Sequence, residues 1–127
     1  MNISGIKTQK LGAPKQILLN PDLQFSVGIV VSNAEFVTEG GKKLVKAGTP
    51  MVGNLDARTT AFTVVGGSDA NKVQGVLLHD VDVTDGNANG TLLIMGFVNT
   101  NRIDSTTKTK ISESVKAAIP TVKFIAG

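Results

Sequence analysis

Cysteine is absent from the 127 residues. That removes disulfide frameworks, thiolate zinc sites and cysteine nucleophiles together. Tryptophan and tyrosine are absent as well, and five phenylalanines are the whole aromatic complement. Single-strand nucleic-acid binders stack bases on aromatic platforms, and sugar sites lean on Trp or Tyr, so both classes lose their usual support. Histidine occurs once. A lone imidazole needs converging carboxylates to hold a metal, or a Ser and an Asp to make a triad. The longest apolar run, residues 92–98, is far short of the roughly 20 residues of a membrane-spanning helix. Residues 1–10 lack the long apolar core of an export signal, and Lys7 and Lys10 fall where one would sit. No internal repeat, heptad run or low-complexity tract interrupts the chain.

The formal charge is +3 and the pI about 9.3. The lysines are scattered, apart from Lys42, Lys43 and Lys46, and read as a solvated edge that discourages sheet-to-sheet aggregation. Neither a nucleic-acid nor a membrane partner is expected. A chain of this length forms one domain and buries enough surface to fold without staples.

The organising stretch is residues 73–98. Residues 76–83 and 91–98 read as two strands joined by the turn-forming run Thr84, Asp85, Gly86, Asn87, Ala88, Asn89 and Gly90. On the first strand Leu77, His79, Val81 and Val83 share one face, and Asp80 and Asp82 the other. On the second, Leu92, Ile94 and Val98 share one face and Leu93, Met95 and Phe97 the other. A strand apolar on both faces must be covered on both, by another sheet layer, a helix or a partner chain.

The remaining chain alternates short strands with Gly-rich turns. Residues 24–32 form a strand with Phe25, Val27 and Ile29 in alternation. A hairpin turns at Glu39, Gly40 and Gly41. Residues 60–65 are β-branched and aromatic, hence strand. Residues 99–110 are a polar connection. Ile111, Val115, Ala118 and Ile119 fall at helical spacing, which predicts a short helix over residues 112–119, stopped by Pro120. Residues 121–125 form a last strand. The expected fold is all-β with one short C-terminal helix, a small barrel or sandwich.

Residues 1–21 read as an arm, broken by Gly5, Gly12, Pro14 and Pro21, and residues 22–127 as the domain. Two readings of the arm compete: disorder, or a segment that orders as an extended strand on a partner. Ile3 and Ile6 tilt the balance to the second.

Candidate chemistry is thin. Asp80, Asp82, Asp85 and Gly86 suggest a calcium loop, but the spacing is wrong. An EF-hand loop would place an acid or amide at Thr84, glycine at Asp85 and its bidentate acid at Thr91. Gly66-Gly67-Ser68 lacks the lysine of a phosphate-binding loop and leads into a strand. Catalytic residues, cofactor and metal are therefore not expected, and the chain is not read as an enzyme.

Three runs carry a resemblance: KAGTPMVGNLDARTTAF, GVLLHDVDVTDGNANGTLLIMGFVNTNRI and VKAAIPTVKFI. Together they resemble the small head decoration proteins of tailed bacteriophages, the lambda-type capsid-stabilising proteins, some of which are labelled head fibre proteins. The resemblance covers residues 42–125. It implies a compact β-rich, non-enzymatic capsid accessory protein that sits on the outer surface of the virion after assembly in the host cytoplasm. It implies a homotrimer, bound to the phage major capsid protein and cementing the expanded head. On this reading Ile3, Ile6, Leu11 and Pro14 belong to a capsid-binding arm, and Leu93, Met95 and Phe97 to a trimer interface. The alternative class is a carbohydrate or host-surface binding module of the particle.

Overall fold

The computed structural model describes residues 16–127. Among the described residues nine strands form two sheets: β1 (Phe25–Val31), β2 (Val37–Glu39), β3 (Lys42–Val45), β4 (Pro50–Val52), β5 (Thr63–Val64), β6 (Val73–Leu77), β7 (Val81–Asp82), β8 (Ala88–Asn99) and β9 (Val122–Ile125). The fold is all-β with short helices near the C-terminus. The larger sheet runs β1-β8-β6-β4-β5, with β9 attached in parallel to the end of β8. A bridge between Val31 and Phe62, just ahead of β5, joins the two ends of that order. Phe62 N–H donates to the Val30 carbonyl at 2.7 Å, and Ser32 N–H to the Phe62 carbonyl at 2.9 Å. The sheet thus closes on itself as a small barrel, which removes two open edges.

The barrel interior is filled by Ile29, Val31, Met51, Phe62, Leu77 and Leu92, all buried. Phe62 packs directly over Gly53, where a Cβ would lie 2.5 Å from the ring. Burying each large side chain contributes roughly 1.5–3 kcal/mol.

A second core lies outside the barrel wall. Val76, Leu93 and Val98 meet Ile17, Leu18, Val115, Ile119 and Val122 there. The cover is the chain's own. One part is the helix Glu113–Ala118, whose N-cap Ser112 accepts from Val115 N–H at 3.3 Å. The other part is the N-terminal run 17–19. Asn99 N–H donates to the Ile17 carbonyl at 2.7 Å, and Leu18 bridges Val98. The predicted helix is therefore present, and a second, Ser105–Lys108, lies in the stretch expected to be a plain connection.

Four expectations need correction. The strand over residues 76–83 is broken. β6 ends at Leu77, and β7 joins the other sheet, beside β3. The break is held by Asp80, which accepts from Ala47 N–H at 2.7 Å and so draws the chain out of the barrel. His79 lies in that turn, not on a strand. The strand over residues 60–65 shrinks to Thr63–Val64 plus the Phe62 bridge. On β8, Leu92 and Val98 were expected on one face, yet they enter different cores. The pairing with β1 explains this. Phe25 pairs Met95 while Ser26 pairs Leu93, so Ile94 is one extra residue in the ladder and parity reverses beyond it. Finally, the domain starts before residue 22: Ile17 is fully buried and Leu18 nearly so. The Glu39–Lys42 hairpin does form, with φ of 58° at Gly40 and 80° at Gly41, the two positive values that a type I′ turn demands.

Candidate interaction surface

Beyond its extra residue, β8 turns Met95 outward. Across the ladder Phe25 pairs Met95, and on the other side Lys123 of β9 pairs Phe97. Leu19 N–H donates to the Phe97 carbonyl at 2.9 Å, which places Leu19 at the rim. Ile125 pairs Asn99 at the opposite rim. The exposed fractions are high: Phe25 56%, Leu23 50%, Ile125 44%, Leu19 43% and Met95 40%. Among the described residues the only other large apolar side chain so exposed is Phe36. Exposure is thus concentrated at one end of the sheet, and concentration is what separates an association surface from ordinary scatter. A groove of about 290 Å³ runs through it, lined by Leu23, Met95, Phe97, Pro120, Thr121 and Lys123.

The sequence-predicted interface residues separate here. Met95 is exposed and Phe97 half-buried on this face. Leu93 is fully buried beneath the C-terminal helix, so it has no surface to offer a partner. The two-sided apolarity is satisfied within the chain at Leu93 and Val98, by the helix and by Ile17 and Leu18, and is left open at Met95 and Phe97. Ile3, Ile6, Leu11 and Pro14 lie outside the described residues. Phe25, Leu23, Leu19 and Ile125 were missed. Phe25 keeps the alternation of β1 with Val27 and Ile29 and is exposed at the strand's first position, where it pairs Met95 beyond the extra residue of β8.

The polar candidates do not converge. Asp80 is shared between Ala47 N–H and the Lys46 ammonium, 3.3 Å away. Asp82 accepts from Thr84 Oγ1 at 2.5 Å and from Thr84 N–H at 2.9 Å, and these two bonds hold its carboxyl below the usual range. Asp85 is exposed in the following turn. His79 keeps its Nδ1 enclosed without a hydrogen-bond partner. Among the described residues no three His, Asp or Glu side chains gather where they could hold a metal ion. Lys46, only 12% exposed, bonds Glu39 at 3.1 Å as well as Asp80. Burial alone would lower its pKa. The hydrogen bonds to Glu39 and Asp80, with their charges, outweigh burial and hold it above the ordinary lysine value. A polar hollow of about 620 Å³ on the barrel wall presents a single carboxylate, Asp56, and Arg58, whose Nη1 donates to the Gly28 carbonyl at 3.0 Å. These groups brace loops and offer no nucleophile–base pair.

No family model matches the chain, and no curated protein matches it.

Proposed function

We propose that the chain is a non-enzymatic structural protein that decorates the outside of a tailed-phage capsid and stabilises the expanded head. It binds the phage major capsid protein and acts as a homotrimer. The observation that carries this reading is the apolar face at the open end of the sheet, built from Leu19, Leu23, Phe25, Met95, Phe97 and Ile125. Three copies that meet through this face close a ring and avoid open-ended growth. Each side chain fully withdrawn from water contributes roughly 1.5–3 kcal/mol, set against the rotational and translational cost of association. The resemblance carried by residues 42–125 supports the capsid as the partner.

The arm, with Ile3, Ile6, Leu11 and Pro14, is the anchor to the shell. An extended arm that orders on binding loses about 1–2 kcal/mol of backbone entropy per residue. The net gain per arm is small, and three arms on one trimer act together through effective concentration. The finished protein therefore resides on the virion surface, after a passage through the host cytoplasm.

The test is sedimentation with expanded and unexpanded heads of the phage that encodes the chain. Saturable binding to expanded heads, in copy numbers that are multiples of three, is the expected result. Deleting residues 1–10 should leave the trimer intact and remove shell binding, with Ile3→Ser plus Ile6→Ser in between. No binding to expanded heads at any concentration overturns the reading. Full binding by the truncated protein moves the anchor to the folded domain.

A further inference from the structure

The β2–β3 hairpin stands apart from the barrel. It belongs to the small sheet β2-β3-β7, and of its strand residues only Val45 is buried. Backbone pairing to β7 covers two positions, Leu44 with Asp82 and Val45 with Val81. Two further bonds follow: Val83 N–H donates to the Lys43 carbonyl at 2.8 Å, and Lys43 N–H to Thr84 Oγ1 at 2.9 Å. Val45, at the foot of β3, is packed into the barrel core, and ion pairs tie down what lies beyond it. Lys46 holds Glu39 of β2 and Asp80 of the barrel turn. Lys110, just after the helix Ser105–Lys108, reaches Glu35 ahead of β2 at 3.5 Å. Between hairpin and helix lies a crevice of about 80 Å³ with apolar walls, Phe36, Val37, Leu44 and Val64.

We propose that the β2–β3 hairpin is a flap latched by Lys46, opening as a unit over this crevice while the barrel stays closed. Segments with few buried apolar side chains open at lower free energy than the core. The latch rests on one ammonium shared by two carboxylates, on a lysine side chain that is largely covered while its partners stay open to water. Taking one partner away leaves a buried charge short of compensation. The shortest way for that charge to regain water is for the hairpin to lift. Lifting uncovers the walls of the crevice, in which Lys46, Thr49, Thr107 and Lys110 stand beside the apolar side chains. The exposed Glu35–Lys110 pair adds little, since solvent screens it.

Native-state hydrogen exchange, read residue by residue, tests the flap. In the wild-type protein the amides of residues 37–45 should exchange through a smaller opening than those of Leu77, Leu92 and Leu93. Asp80→Asn keeps an acceptor for Ala47 N–H and drops the charge. It should speed exchange across the hairpin by about tenfold or more and leave the barrel amides unchanged. Glu39→Gln, at a more exposed position, should do the same to a smaller extent. Asp85→Asn, an exposed acid in the next turn, is the charge-matched control and should change nothing. The proposal is overturned if wild-type hairpin amides exchange only with the barrel. It is equally overturned if Asp80→Asn behaves as Asp85→Asn does, or accelerates both regions alike. Should Asp80→Asn not fold, Glu39→Gln and the wild-type gradient decide between the same outcomes.

Discussion

Leu93 and Met95 are two residues apart on one strand, yet they live in different solvents. Leu93 is sealed under a helix, two residues of the N-terminal run and β9, while Met95 stands 40% exposed among other apolar side chains. An ideal strand would put both on the same face under the same cover. The extra residue at Ile94 separates them by turning Met95 to the side opposite Leu93 and its cover. The contrast separates two placements of hydrophobic character, one that holds the fold and one that lies open on the face proposed as the meeting surface. Only the register of β8 tells which side chain does which.

Substitutions on the two sides should therefore diverge. Leu93→Ala leaves a cavity in a closed core and should cost about 2–5 kcal/mol, seen as a lower urea midpoint with an unchanged slope. Phe62→Ala, inside the barrel, should cost about 3–5 kcal/mol by the same measurement. Equal stability of Leu93→Ala and wild type would mean that the helix does not cover the strand. Ser112→Ala removes the N-cap of the covering helix and should cost about 0.5–2 kcal/mol, read as a drop in melting temperature. Its effect tests the cover without touching β8.

pH acts on neither face of β8 but on the turns beside them. Lys46 has a folded pKa above its unfolded value. Its contribution is fully present below the ordinary lysine value of 10.5 and is lost as pH rises through the folded pKa. Urea unfolding should show stability falling on the alkaline side, and Lys46→Met should abolish that limb. Asp82 has the opposite sign. Its lowered pKa contributes stability above the usual carboxylate range that is lost as pH falls through the folded value. Asp82→Asn should flatten the acid limb slightly, the smallest change expected here.

Much of the scaffold was legible because local chemistry decides it. Glu39-Gly40-Gly41-Lys42 can hardly be anything but a tight turn, and Val115, Ala118 and Ile119 at helical spacing mark a helix whose start Ser112 fixes. Val122 and Phe124 alternate as an edge strand should. Features decided by distant partners were not legible. Asp80 breaks the strand at residues 78–80 through a bond to Ala47, 33 residues away. Ile17 and Leu18 read as arm because nothing local says that Val98 and Asn99 will bind them. The extra residue at Ile94 obeys no composition rule, yet it decides that Met95 parts from Leu93 and that Val98 joins Leu93. The candidate surface was half legible for that reason: Met95 and Phe97 were named with Leu93, and the neighbours that complete the face were not.

Light scattering across a concentration series, on wild type and on Met95→Ser combined with Phe97→Ser, tests the claim that this face is where copies meet. Surface substitutions of this kind usually shift stability by about 0.5 kcal/mol or less; half-buried Phe97 adds some packing loss, so the variant should melt close to wild type. The account predicts a wild-type trimer and a folded, monomeric variant. A wild-type monomer at every concentration, or a variant that remains a trimer, would contradict it.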